Sequence, residues 1–145
     1  MLSEANAPVY PMRLTPQPSA DALFVIGDKS YGVERKEASD LLNSWVSKHK
    51  CKAQCDKCGG KGCYHLASQL ERMLTNFDHT ILVIEGWFGI NERGYVQTAY
   101  GDRALLWRGV MNMLYKWQER GVRLQFTANT QHTAQQLVAL REYLS

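Results

Sequence analysis

The 145-residue sequence contains no run of 18 apolar residues, so nothing in it reads as a membrane-spanning helix. The N-terminus, MLSEANAPVYPMRL, has no basic start followed by an apolar stretch, which argues against a secretory signal. A cytosolic, reducing compartment is therefore the expectation. Proline is missing beyond Pro18: all four prolines lie in the first 18 residues, with few periodic apolar positions among them. Residues 1–19 read as an extended arm with one edge strand around Val9–Leu14. There is no strong excess of charge. A net +3 is too small to argue for a polyanionic partner by itself. No internal repeat or low-complexity tract is present.

What is there suits one domain with a real core, expected over residues 20–145. Ala22–Ile26 (ALFVI) is a short apolar run bounded by turn residues and reads as a buried strand. Gly27-Asp28-Lys29-Ser30 reads as a turn, and Tyr31–Lys36 as the returning strand of a hairpin. Helical spacing appears over Glu37–Ser47, with Ala38, Leu41, Leu42, Trp45 and Val46 on one stripe, and again over Tyr64–Asn76. Ile81–Ile84 (ILVI) is continuously apolar, as strands covered on both faces are. Trp87–Gly101 reads as a glycine- and aromatic-rich loop. Arg103–Arg120 reads as a long helix, Val122–Phe126 as a strand and Gln131–Leu144 as a last helix. The order predicts an α/β domain with a central mixed sheet flanked by helices.

The hairpin decides which charged residues can meet. A turn centred between Asp28 and Lys29 places Asp21 opposite Lys36. Glu34 is two residues from Lys36 and shares its face. Two carboxylates suit an oxygen-preferring divalent ion, and an adjacent lysine suits charge developing on a phosphate. A one-residue slip would send half of the trio to the other face. Charged groups on a strand also form ordinary solvated ion pairs, and the three residues alone do not separate these readings.

Val33-Glu34-Arg35-Lys36 followed by Asp40 resembles the V-E-R-K-x-x-x-D motif of the XPF-type structure-specific nucleases, within the wider PD-(D/E)xK class. Asp21, the strand ALFVI, the turn and YGVERK follow that family's layout. Leu66–Leu70 (LASQL), Ile81–Gly86 (ILVIEG) and Gly121–Leu137 resemble its later segments, so the likeness covers most of residues 20–144. The resemblance implies a restriction-endonuclease-like core and an endonuclease for branched or flapped DNA that works as a homodimer. It implies Mg²⁺ or Mn²⁺ held by Asp21, Glu34 and the Arg35 carbonyl, with Lys36 catalytic and Arg35 and Asp40 in support, either orienting the site or pairing with each other. The sequence departs from the family pattern in four ways. Ala20 stands where the family has glycine. Gly27-Asp28 forms a second, turn-borne candidate pair. The family's upstream acidic motif has only Glu4 as a counterpart, so Glu85 is a candidate to supply the missing contact. The tandem helix-hairpin-helix domain common in the family has no counterpart in the sequence, which implies a nuclease domain alone. A catalytically weak DNA- or partner-binding module is the alternative.

Residues 48–65 form an insert where the family has a short connection. Cys51, Cys55, Cys58 and Cys63 fall within it, with His65 beside them. In a reducing compartment that clustering points to metal before disulfides. A structural zinc knuckle leads, with an iron–sulfur cluster or free thiols as alternatives; His65 is expected to remain a helix residue. Lys48, Lys50, Lys52, Lys57 and Lys61 against Asp56 alone give residues 48–61 a net +4. These lysines either grip DNA phosphates or stand solvated on a stabilising staple. Trp87, Phe88, Tyr95 and Tyr100 read first as core or dimer contacts and second as a platform for unpaired bases.

Overall fold

The structure, a computed structural model, describes residues 9–11 and 20–145. Its centre is a five-stranded mixed sheet. β1 (Val9–Pro11), β2 (Ala22–Ile26) and β3 (Lys29–Glu37) pair antiparallel; β3, β6 (His79–Glu85) and β10 (Val122–Thr127) run parallel, giving the order β1-β2-β3-β6-β10. The expected mixed α/β architecture is present. β1 is the anticipated edge strand; the remainder of the arm, with Glu4, lies outside the described residues.

Alternation sorts the sheet into two faces. Leu82 and Ile84 face α1 (Ala38–Val46), α2 (His65–Asn76) and α3 (Trp107–Glu119), packing with Leu41, Leu70 and Leu114. Tyr31, Val33, Ile81 and Val83 face the other way, against Leu137 of α4 (Thr130–Leu144). Covered on both sides, β6 is buried from Thr80 to Glu85, which is why its sequence is continuously apolar. Among the described residues no helix is long and apolar enough to cross a membrane.

Two expectations are corrected. The hairpin pairs Ile26 with Lys29 and Ala22 with Val33, so its loop is Gly27-Asp28, centred one residue earlier than the sequence suggests, which shifts every cross-strand partner by two. Gly27, at φ 61°, takes the left-handed conformation that a two-residue loop needs. The segment Trp87–Gly101 is not a loop. With the residues after it, it forms a three-stranded antiparallel sheet of β7 (Phe88–Ile90), β8 (Tyr95–Thr98) and β9 (Gly101–Leu106). Its glycines punctuate turns: Gly94 and Gly101 have positive φ, and Asn91 Oδ1 accepts from the Arg93 and Tyr95 amides. As a result α3 starts at Trp107, and Arg103 belongs to β9.

Between α1 and α2 the chain makes a small ribbon, β4 (Lys48–His49) paired with β5 (Cys63–Tyr64), and the cysteine loop projects from it.

Candidate active site

The two-residue change in register preserves side-chain parity, so Asp21, Glu34 and Lys36 still gather on one face. Beyond the Ala22–Val33 pair, Asp21 closes the ladder. Its amide donates to the Val33 carbonyl (2.9 Å), and its carboxylate accepts the Arg35 amide (2.9 Å). Lys36 Nζ lies 3.4 Å from Glu34 Oε1. Asp21 is exposed, whereas Glu34 is only 4% exposed.

That burial has an electrostatic consequence. Desolvation, and then the neighbouring Asp21 charge, push the Glu34 carboxyl up to about 7, against the opposing pull of Lys36 and of a hydrogen bond from Gln69. Two acids and one ammonium leave the site short of positive charge. A divalent cation would relieve that deficit, and the donors are the hard oxygens that Mg²⁺ or Mn²⁺ prefers. The residues present therefore fit such an ion.

Gln69 is the residue that sequence reasoning missed. It lies within LASQL, but nothing local shows that α2 brings its amide to Glu34. Arg103, read from sequence as the first residue of a helix, instead ties β9 to α1 through Ser39 Oγ (3.3 Å) and Asn43 Oδ1 (2.6 Å).

Arg35 points to the opposite face, where Nη1 donates to Glu85 Oε1 at 2.8 Å. Glu85 also accepts from Thr130 Oγ1 (3.3 Å) and Thr133 Oγ1 (2.7 Å). Glu85 is thus committed on the α4 side of the sheet and does not supplement Asp21 and Glu34, because one residue of alternation separates the two faces. Of the two supporting roles expected for Arg35 and Asp40, mutual pairing is not seen: Arg35 pairs with Glu85 instead. Asp40 sits exposed in the first turn of α1, where a carboxylate suits the helix dipole. Asp28 is exposed in the hairpin loop, at the far end from Glu34.

In the insert, the four cysteine sulfurs all lie within 4.8 Å of one another, and no two are bonded. His65 starts α2 and is not among them. Lys48, Lys57 and Lys61 border one concavity of about 650 Å³ with Tyr64 and Glu71; Lys50 and Lys52 are exposed outside it. Of the four aromatics, Phe88 alone meets the expectation of core packing, against Trp107 and Phe126. Trp87 and Tyr100 stand 58% and 78% exposed, and Tyr95 is exposed as well.

A profile of the ERCC4 domain matches residues 3–140. No curated protein matches the chain. Among solved structures, XPF from Aeropyrum pernix is similar at 19% identity and a TM-score of 0.59, covering 99% of this chain and 54% of that one. XPF from Aeropyrum pernix in complex with DNA is similar at 21% identity and a TM-score of 0.54, covering 90% of this chain and 52% of that one. The chain thus spans about half the length of the structures it matches. At these identities the likeness establishes a shared fold.

Proposed function

This chain belongs to the ERCC4-domain family, and on that premise we propose that it is a metal-dependent endonuclease hydrolysing phosphodiester bonds in branched or flapped DNA. The observation that carries the reading is the gathering of Asp21, Glu34 and Lys36 on one face at the end of the hairpin, with Lys36 Nζ 3.4 Å from Glu34. The XPF-like fold and the DNA complex of that relative support it.

In this reading Asp21 and Glu34, with the Arg35 carbonyl, would hold Mg²⁺ or Mn²⁺. When bound, the ion supplies polarisation of a phosphoryl oxygen and acidification of water. Lys36 Nζ lies against the Glu34 carboxylate, and the Gln69 side chain also favours its charged form. Lys36 keeps an ammonium beside the carboxylates, placed to orient the attacking water or to stabilise charge developing on the phosphate. Arg35 acts as a positioning residue, anchoring the strand end through Glu85, and Asp40 favours the start of α1. Lys48, Lys50, Lys52, Lys57 and Lys61 would contact DNA phosphates away from the cut. The reading carries a homodimer, which light scattering would register as twice the 16.5 kDa chain mass.

The test is strand cleavage of flap, fork, four-way-junction and plain duplex DNA with Mg²⁺, Mn²⁺ or a chelator. Cleavage that needs the ion, prefers the branched substrates and falls about 100-fold or more in Asp21→Ala and Lys36→Ala supports the proposal. Binding without cleavage in either ion would replace it with a catalytically weak DNA-binding module.

A further inference from the structure

The cysteine loop lies on the side of the fold where α1 hands over to α2, and its four thiols converge although no disulfide joins them. Cys55 Sγ and Cys63 Sγ are 3.7 Å apart, and all four sulfurs lie within 4.8 Å of one another. A tetrahedral zinc with Zn–S bonds of about 2.3 Å has sulfurs about 3.8 Å apart. The backbone is arranged for thiolates as well. The Gly62 amide donates to Cys58 Sγ at 3.3 Å, the kind of outer contact that stabilises a metal-bound sulfur. Gly62 has φ +99°, and a Cβ there would sit 2.9 Å from the His49 carbonyl oxygen, so the turn that delivers this amide requires glycine. An all-sulfur donor set selects a soft ion and is unlike the oxygen site at Asp21 and Glu34.

We propose that Cys51, Cys55, Cys58 and Cys63 bind one zinc ion, and that this ion clamps the end of α1 to the start of α2, so fixing the helix that carries Gln69 to Glu34. The connection is short. Cys63 is in β5, which runs directly into α2. The His65 amide donates to the Ser47 carbonyl at 3.0 Å, and His49 Nε2 lies 2.9 Å from Ser68 Oγ, one residue before Gln69. On binding, each thiol gives up its proton to solvent and its sulfur lone pair to the ion. The resulting four-thiolate centre carries −2 and lowers the local +4 to about +2. The zinc site stands apart from the nuclease reading; only the purpose of holding Gln69 rests on it.

The full chain, purified under reducing conditions from zinc-supplemented medium, is analysed for metal. One zinc per chain is expected, and replacement by Co²⁺ should give sulfur-to-cobalt charge transfer with the visible bands of a tetrahedral ion. Zinc far below stoichiometric with no such cobalt spectrum overturns the site, as does iron with acid-labile sulfide. Hydrogen exchange then tests the clamp without relying on a variant that folds: removing zinc should speed exchange at Leu66–Leu70 about ten-fold or more, and unchanged exchange overturns it. Asp21→Ala should keep its zinc and its slow α2 exchange. Loss of cleavage in that variant therefore bears on the nuclease reading alone.

Discussion

Arg35 stands in sequence between Glu34 and Lys36, yet its guanidinium lies on the opposite side of the sheet, 2.8 Å from Glu85. Glu34 and Lys36 serve one face, while Arg35 secures the other against α4. Glu85 is 7% exposed and relies on Arg35, Thr130 and Thr133 for its hydrogen bonds. Arg35→Ala leaves a buried carboxylate without its cation. The half-exposed position of Arg35 moderates the loss, which we expect at about 1–3 kcal/mol by urea unfolding. Adding Glu85→Gln removes the stranded charge and should recover much of it. If the double variant is no more stable than Arg35→Ala, the ion pair does not hold the strand end.

Glu34 gives a pH dependence of defined sign. Its carboxyl is raised from the ordinary 4.5 to about 7, chiefly by burial. The folded chain therefore binds this proton more tightly than the unfolded chain. The associated stability is full below pH 4.5 and is lost as pH rises through 7, on the order of 3 kcal/mol in ion-free protein. Glu34→Gln lacks this loss, so it should gain on the native chain between pH 5 and 8. Unfolding curves for both at the two pH values measure it; parallel changes would sink the assignment. Mg²⁺ at pH 8 should raise the native midpoint and leave that of the variant unmoved.

Lys48, Lys57 and Lys61 share a concavity, whereas Lys50 and Lys52 stand outside it. A DNA backbone lying there would release counterions, so the slope of log K against log salt should flatten by about 0.9 for each phosphate that an alanine substitution leaves without its lysine. The Lys48/Lys57/Lys61 triple variant should flatten it more than the Lys50/Lys52 pair. An unaltered slope in the triple variant would leave the insert as a staple alone.

Gly32 is required for packing. A methyl group there would overlap the Phe77 ring at the end of α2. Gly32→Ala should cost about 1–3 kcal/mol, a fall of several degrees in thermal midpoint for a chain of this size. Phe77→Leu in that background should restore part of it, and a wild-type midpoint for Gly32→Ala would refute the contact.

The trio at the hairpin was legible because it depends on parity. Asp21, Glu34 and Lys36 keep a common face under any even shift of register, so a two-residue shift of cross-strand partners leaves the site intact. The cysteine cluster was legible from spacing, since residues close in sequence need little chain to converge. The β7–β9 sheet was not. Gly94 and Gly101 signal turns and loops alike, and the burial of Val96 that separates the two is a property of the folded neighbourhood.

By itself, then, the chain's order of residues determined the elements whose causes are local: the period-two strand that aligns Glu34 with Lys36, the helical stripes of α1 and α2, and a metal-ligand spacing at Cys51–Cys63. Tertiary structure decided the pairings between residues far apart in sequence. It brought Glu85 to Arg35 and Gln69 to Glu34, took Arg103 from a helix into β9, and left Trp87 and Tyr100 exposed. Periodicity reports which face a side chain takes; only the packing of whole elements determines what meets it there.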